Sequence, residues 1–313
     1  MWFGFCYYEI MYDLISIGNI SLDLFFQGES LTYEKNRFQL AVGGKYFVNT
    51  LYQSVGGGGA NVAIGASMNG LKTAVLGKIG QNSFKSMFLD ELREKNVSTS
   101  LCQIEEHYLN ISSILLTAEG ERAIIHYAPA HVHILKSKKD LENIIKTKFL
   151  YLGNLPDVPM SEREQLLSFV KSHNVTTFVN LGVKDCRRPR HQLTHFLNKV
   201  DVLILNGHEF ADLVKAPYRD IHFHENVVNW YFPALRDKIV VITEGKKGSY
   251  TYLNDQIYHQ KAFELNKVVD TTGAGDAFTA GFISDYFKSQ NILSSMERGA
   301  KYATKILSKM GAN

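Results

Sequence analysis

Short apolar runs alternate with helix-like stretches along almost the whole chain, and this alternation restricts the fold more than any other feature. Several runs are apolar at nearly every position, which is typical of parallel strands covered by helices on both faces. Strands alternating with helices in this way predict an α/β fold. The predicted strands are Leu14–Gly18, Thr73–Gly77, Phe149–Gly153, Thr176–Asn180, Val202–Asn206 and Ile239–Thr243. The predicted helices are Asn61–Met68, Phe84–Asn96, Ser161–His173, His208–Lys215, Ala277–Lys288 and Ile292–Met310.

Two segments, Phe25–Val55 and Ile111–Ile134, depart from this pattern, because polar and apolar residues alternate in them and turn residues interrupt them. Such alternation indicates β-hairpins. We predict that these segments form a small β-sheet, inserted in two pieces into an α/β domain that spans residues 12–313. The stretch Met1–Met11 is aromatic and apolar but lacks the basic residues and cleavage site of a signal peptide, so we interpret it as an extension before a start at Met11.

Composition excludes several classes of function. The 34 Lys and Arg residues against 31 Asp and Glu give a net charge of +3, which is too small to favour a nucleic-acid partner. No run of about 18 apolar residues occurs, so we expect no membrane span. The three cysteines, Cys6, Cys102 and Cys186, are widely spaced, which argues against disulfides and structural zinc. We expect a cytoplasmic enzyme that acts on a small molecule.

A run of glycines precedes the first predicted helix, in Gly56-Gly57-Gly58-Gly59-Ala60-Asn61. Residues without a Cβ let the backbone approach a ligand closely, and the Asn61 amide is a candidate contact to that ligand. The alternative is a flexible loop in which Asn61 caps the helix. The pattern leaves both interpretations open.

A second glycine cluster lies in Asp270-Thr271-Thr272-Gly273-Ala274-Gly275-Asp276, between an extended segment and a helix. Unpaired backbone N–H groups and the positive end of the helix dipole meet there, so Gly273-Ala274-Gly275 is a candidate anion site. Asp276 is either a helix N-cap or a general base that takes a proton from a substrate hydroxyl. Other phosphate motifs are absent from the sequence: Gly245-Lys246-Lys247-Gly248-Ser249 lacks P-loop spacing, and no G-x-G-x-x-G follows the first strand.

The two glycine clusters together resemble the signatures of the ribokinase-like (PfkB) carbohydrate kinases. The C-terminal signature is matched by Asp270–Phe278 and by Ala280-Gly281-Phe282. The N-terminal signature is matched by Gly56–Asn61, Gly70 and Gly77–Asn82. Further landmarks follow the family's order: Gly18-Asn19 with Asp23, Asn206-x-x-Glu209, and Thr243-Glu244-Gly245 with Gly248. The resemblance covers nearly the whole chain and implies a three-layer α/β/α domain with a mostly parallel central sheet and a small β-sheet lid.

The resemblance implies an ATP-dependent transfer of the γ-phosphoryl group to a hydroxyl of a small sugar. Asp276 would be the general base, and the anion hole would be formed by Gly273, Ala274 and Gly275. The sugar would be bound by Asp23, Gly57, Gly58 and Asn61. The nucleotide would be bound by Asn206, Thr243, Gly245 and Gly248. Glu209 would hold Mg²⁺ through water, and the two hairpin segments would form a lid that excludes water from the site.

Some positions differ from the family pattern or allow a second interpretation. Gly58 stands where ribokinase-type members have a lysine, so the identity of the sugar stays open, and a nucleoside is the second candidate acceptor. Asp270 and Thr272 match part of a site for a monovalent cation such as K⁺, but the chain ends at Asn313, where relatives continue with residues that help to hold the ion. A non-catalytic small-molecule-binding homologue is a further alternative. The spacing of Asn206 and Glu209 also fits a helix capping box, and the lid offers a surface for a homodimer.

Overall fold

A computed structural model gives the structure of residues 11–35, 37–118, 121–130, 132–135 and 137–313. The first ten residues, and with them most of the predicted extension, lie outside this range. In chain order the strands are β1 (Tyr12–Ile17), β2 (Ser21–Gln27), β3 (Tyr33–Glu34), β4 (Arg37–Phe38), β5 (Thr50–Gly56), β6 (Thr73–Leu76), β7 (Lys78–Gly80), β8 (Val97–Ser98), β9 (Gln103–Glu105), β10 (Ile111–Leu116), β11 (Arg122–Tyr127), β12 (Thr147–Leu152), β13 (Thr176–Asn180), β14 (Val202–Asn206), β15 (Ile239–Thr243), β16 (Ser249–Leu253) and β17 (Gln256–Gln260). The helices are α1 (Gly58–Met68), α2 (Lys85–Glu94), α3 (Lys138–Ile144), α4 (Met160–Lys171), α5 (Val183–Cys186), α6 (Arg190–Leu197), α7 (Gly207–Val214), α8 (Val227–Tyr231), α9 (Ala274–Ser289) and α10 (Ile292–Leu307).

The central sheet has nine strands in the order β17-β16-β15-β14-β13-β12-β1-β6-β8. Neighbours from β15 to β8 pair in parallel, whereas β15-β16 and β16-β17 are antiparallel. The mostly parallel sheet is therefore confirmed, and Thr176–Asn180, Val202–Asn206 and Ile239–Thr243 have the predicted bounds. β16 and β17 are not among the predicted strands; they form a hairpin whose turn includes Asn254 in the left-handed region, with φ of 55°.

Consecutive residues of the parallel strands point to opposite faces of the sheet and enter two separate cores. Ile15 packs on one face, in a core that includes Leu166 of α4. Leu14, one position earlier, packs on the other face with Phe278 of α9. Helices therefore cover both faces, which confirms the three-layer α/β/α architecture. In the part of the chain described by the structure, none of the helices combines the length and apolar character that crossing a bilayer requires.

A second sheet, the lid sheet, consists of β2, β5, β10 and β11 in the order β11-β10-β2-β5. β10 lies parallel to β2, and the outer pairs β2-β5 and β10-β11 are antiparallel. The sheet begins at Ser21, earlier than the predicted start at Phe25. Its last strand ends at Tyr127 rather than near Ile134.

Candidate active site

Several of the predicted site residues gather at the edge of the central sheet where parallel strands end. β1 ends at Ile17, just before Gly18, while β14 and β15 end at Asn206 and Thr243. Asn206 and Thr243 are paired in register on these neighbouring strands. Ligands of open α/β sheets bind at this edge, beyond the carboxyl ends of the strands.

The first glycine cluster is required by close packing of the backbone. A Cβ on Gly59 would lie 2.6 Å from the carbonyl carbon of Gly18. Gly57 has φ of +90°, and a Cβ there would lie 2.6 Å from the carbonyl oxygen of Asn19. Gly58 differs, because the nearest atom to its Cβ position is a carboxylate oxygen of Asp276, at 3.5 Å. Gly58 is thus the member of this cluster that faces Asp276.

A hydrogen bond between Asn61 and Asp276 connects the two glycine clusters. The N-cap of α9 is Gly273, with φ of +73°, and Asp276 lies in the first turn of that helix. Asn61 Nδ2 donates a hydrogen bond to Asp276 Oδ2 at 2.8 Å. Asn61 lies within α1, which begins at Gly58 and has Gly57 as its N-cap. The capping interpretations of Asp276 and of Asn61 are therefore both wrong.

Three carboxyl groups of the site, those of Asp276, Asp23 and Glu209, have raised pKa values. Burial raises the pKa of Asp276, the hydrogen bond from Asn61 opposes this rise, and the charge of Asp23 adds to it. Burial likewise raises the pKa of Asp23, with a smaller contribution from Asp270. The pKa of Glu209 is raised to about 7, mainly by burial and further by the charge of Asp276. A carboxylate with a raised pKa is a better proton acceptor at neutral pH.

Asp23 is buried on the lid sheet, within a row of polar side chains. Ser21 Oγ donates to Asp23 Oδ1 at 3.0 Å. The register places Ser54, Ser112 and His126 beside Asp23 in one row across the four strands. Ser112 Oγ lies 3.1 Å from His126 Nδ1. These three neighbours are not among the predicted site residues, although their alternate positions within the predicted hairpins indicate that they share a face.

Asn206 and Glu209 form the capping box of α7. The Glu209 backbone N–H donates to Asn206 Oδ1, and the Asn206 backbone N–H donates to Glu209 Oε2, both at 2.9 Å. The capping interpretation of their spacing is therefore confirmed. The cap also fixes the Glu209 carboxyl group at the start of α7, near enough to Asp276 for their charges to interact.

The glycines after β15 have different surroundings. Gly248 has φ of +97°, and a Cβ there would lie 2.0 Å from a carbonyl oxygen of β17, so the turn requires glycine. Gly245 has φ of +53° and open space around its Cβ position. Glu244, the residue before Gly245, accepts a hydrogen bond at Oε2 from the Tyr218 hydroxyl, at 2.7 Å. The Tyr218 ring stacks on His208, with the ring centroids 4.1 Å apart.

The residues at the start of α7 fit a divalent cation. Mg²⁺ prefers oxygen ligands, keeps several waters and takes one or two carboxylates. The half-buried Glu209 carboxyl group lies near the Asp276 charge, and a cation would relieve this concentration of negative charge. The described residues contain no group of three or more His, Cys, Asp or Glu side chains that could hold a metal ion. Water and substrate oxygens would therefore complete the coordination.

The residues predicted to hold K⁺ do not fit the ion, because a guanidinium group already contacts them. Arg122 Nη1, on β11, donates to Asp270 Oδ1 at 3.0 Å and to Thr272 Oγ1 at 2.6 Å. Two predicted ligands of a free cation are thus joined to a cation of the chain itself.

Comparisons with known proteins extend these observations to the whole chain. The profile of the pfkB family carbohydrate kinases matches residues 13–313. A probable chloroplastic fructokinase-6 of Arabidopsis thaliana is 28% identical over 257 residues, which are 78% of this chain and 65% of the relative. The ribokinase of Staphylococcus aureus (strain COL) is 29% identical over 264 residues, 82% of this chain and 83% of the relative.

The solved structures show the same fold. Arabidopsis thaliana ribokinase, complexed with ribose and ATP, superposes with a TM-score of 0.77 at 22% identity, over 96% of this chain and 94% of that one. The chain belongs to the pfkB family of carbohydrate kinases, which are phosphotransferases that use an alcohol group as acceptor.

Proposed function

We propose that the protein transfers the γ-phosphoryl group of ATP to a hydroxyl group of a small sugar. The observation that carries this proposal is the position of Asp276, a carboxyl group of raised pKa that Asn61 holds in the first turn of α9. The Gly273-Ala274-Gly275 loop directly precedes it. A proton acceptor and an anion site therefore lie together, as phosphoryl transfer to a hydroxyl requires.

In this reaction Asp276 takes the proton of the acceptor hydroxyl as the hydroxyl oxygen forms a bond to the γ-phosphorus. The bond between that phosphorus and the bridging oxygen breaks, and ADP leaves with the electron pair. Backbone N–H groups of Gly273–Gly275 stabilise the charge on the transferring group. Mg²⁺, when bound, would neutralise charge on the ATP phosphates, with Glu209 holding it through water. The ATP site would be lined by Asn206, Thr243, Gly245 and Gly248.

The polar row on the lid sheet supports a sugar as the acceptor. Asp23, Ser112 and His126 bring a carboxylate, a hydroxyl and an imidazole together, and neighbouring sugar hydroxyls need closely spaced donors and acceptors of this kind. The opposite side of the acceptor would be bound by Gly57, Gly58 and Asn61. A nucleoside is the second candidate, because Tyr52 lies on the same face of the lid sheet, 40% exposed, and its ring can stack on a base.

The lid sheet would close over the acceptor with this polar face and exclude water. Its other face exposes Leu51, Ile125 and Tyr127, each more than half accessible at 63%, 62% and 61%. An apolar surface of this kind favours association, and we propose that it joins two copies of the chain in a homodimer. The free thiols of Cys102 and Cys186 support a reducing, cytoplasmic location.

The direct test is ADP release from Mg-ATP with a panel of pentoses, hexoses, ketoses, sugar acids and nucleosides. Release that depends on a sugar supports the proposal, and release with nucleosides alone supports the second candidate. Thermal melting with each compound is the parallel measurement. Stabilisation by one compound without any ADP release would instead support a non-catalytic binding homologue.

A further inference from the structure

Arg122 reaches from the lid sheet to the loop that carries the anion site. Its Nη1 atom donates to Asp270 Oδ1 at 3.0 Å and to Thr272 Oγ1 at 2.6 Å. The Asp270 side chain is 1% exposed, whereas that of Arg122 is 32% exposed. The pair is 148 residues apart in the sequence, so the contact joins two elements that only the fold brings together.

Asp270 is bonded on both carboxylate oxygens. Oδ1 also accepts hydrogen bonds from the Thr272 backbone N–H at 2.9 Å and from Thr272 Oγ1 at 2.7 Å. Oδ2 accepts one from the Gly311 backbone N–H at 3.2 Å. These donors are neutral, and a buried carboxylate is costly unless a positive charge accompanies it. Arg122 supplies that charge.

We propose that Arg122 takes the place of a monovalent cation at Asp270 and Thr272 and acts as a positioning residue for the Gly273-Ala274-Gly275 loop. The inference rests on the proposed function, because it assigns this loop a part in phosphoryl transfer. Since the guanidinium group belongs to the chain, turnover needs no K⁺ or Na⁺. A second cation beside it would be repelled.

The pair also connects the lid sheet to the loop before α9. Arg122 is the first residue of β11, and Asp270 lies three residues before the N-cap of α9. When the lid sheet lies in its present position, the guanidinium group holds Asp270 and Thr272 together. Removal of the Arg122 side chain would leave Asp270 Oδ1 and Thr272 Oγ1 without their guanidinium partner and the Asp270 charge uncompensated. Hard cations prefer oxygen ligands of this kind.

The experiment compares the wild type with Arg122→Ala and with Arg93→Ala as a matched control, because Arg93 forms an exposed ion pair with Asp90 on α2. The turnover number, the KM values and the melting midpoint are measured in choline, sodium and potassium chloride at equal ionic strength. We expect the wild type and Arg93→Ala to respond equally to the three salts. Arg122→Ala should lose about 10²-fold in turnover in choline, through displacement of the loop. Potassium should restore turnover and raise its melting midpoint.

Several results would overturn the proposal. Wild-type turnover that rises with potassium would show that Arg122 does not serve as the cation. If Arg122→Ala has the same turnover number and the same melting midpoint in all three salts, Arg122 likewise does not serve as the cation. If Arg122→Ala does not fold in choline, folding restored by potassium supports the proposal, and folding restored by no cation overturns it.

A conservative variant separates the charge from the packing. Arg122→Lys keeps a positive charge, so we expect it to be active without potassium, and a potassium requirement in this variant would contradict the proposal. If the wild type phosphorylates no acceptor, the proposed function fails. The melting comparison of Arg122→Ala in the three salts then still decides whether Arg122 takes the place of a cation.

Discussion

At the level of single residues, burial makes the charged forms of Asp276 and Glu209 costly, yet the fold keeps both groups near each other. Burial raises the pKa of each carboxyl group; the charge of Asp276 adds to the rise at Glu209, and the charge of Asp23 adds to the rise at Asp276. The folded protein therefore binds these protons more tightly than the unfolded chain does, and the charges lower its stability at neutral pH. Perturbed carboxyl groups of this kind are typical of active sites, where they serve as bases and cation ligands.

The pKa of Glu209, raised to about 7, predicts how ATP use depends on pH. Only the charged carboxylate can orient the waters of a hydrated Mg²⁺ ion. We therefore expect the KM for Mg-ATP to rise as the pH falls through about 7. Glu209→Gln should have a higher KM at neutral pH and lose this dependence. A Glu209→Gln protein that keeps the wild-type pH profile would assign the titration to another group.

Gly56 tests the placement of the acceptor. A Cβ at this position would lie 2.0 Å from Asp23 Oδ2, and Asp23 is buried and held by Ser21. Gly56→Ala should therefore displace the Asp23 carboxylate and raise the KM for the acceptor about tenfold or more, with a smaller effect on turnover. The wild type is the comparison for both kinetic constants. A wild-type acceptor KM in Gly56→Ala would argue against Asp23 as an acceptor ligand.

At the level of elements, the start of α7 combines a structural and a functional role. The Asn206 side chain caps the helix, and a serine can do the same. We expect Asn206→Ala to destabilise the fold by about 1 kcal/mol, measured by denaturant unfolding. Asn206→Ser should keep most of this stability and still weaken ATP binding, if the amide contacts the nucleotide. Wild-type ATP affinity in Asn206→Ser would leave Asn206 with the capping role alone.

Elements were predictable from the sequence where a local pattern decides them. Val202–Asn206 and Ile239–Thr243 are apolar at four of five positions and Thr176–Asn180 is buried at its centre, because both faces of these strands are covered. β17 is the edge strand of the sheet and β16 lies beside it; polar and apolar residues are mixed in both, and neither was identified. A half-exposed edge strand has no continuous apolar run, so its pairing is decided by the neighbouring strand.

Across the whole molecule, the contacts that could not be predicted from the sequence are those between distant elements. The two glycine clusters were identified because each is a local motif, and they meet in the hydrogen bond of Asn61 to Asp276. The contact of Arg122 with Asp270 and the position of His126 beside Ser112 depend on the register of β10 and β11. No pattern in the sequence predicts how β10 and β11 pair or where they lie relative to the loop before α9.

The proposed homodimer is a property of the whole molecule and has its own test. Ile125 lies on the exposed apolar face of the lid sheet, where it is 62% accessible. We expect solution scattering at micromolar concentration to give twice the mass of the chain for the wild type. Ile125→Glu should give the mass of one chain, because a charge on an apolar interface is costly to bury. A wild type of monomeric mass would contradict the proposal.

The most direct test of the phosphoryl-transfer account is acceptor-dependent ADP release by the wild type and by Asp276→Asn. The asparagine can still accept the hydrogen bond from Asn61 but cannot take up a proton. We expect turnover to fall by about 10²- to 10⁴-fold. The melting midpoint of the variant at neutral pH should be equal to or above that of the wild type, because a costly buried charge is gone. Unchanged turnover in Asp276→Asn would contradict the assignment of Asp276 as the general base.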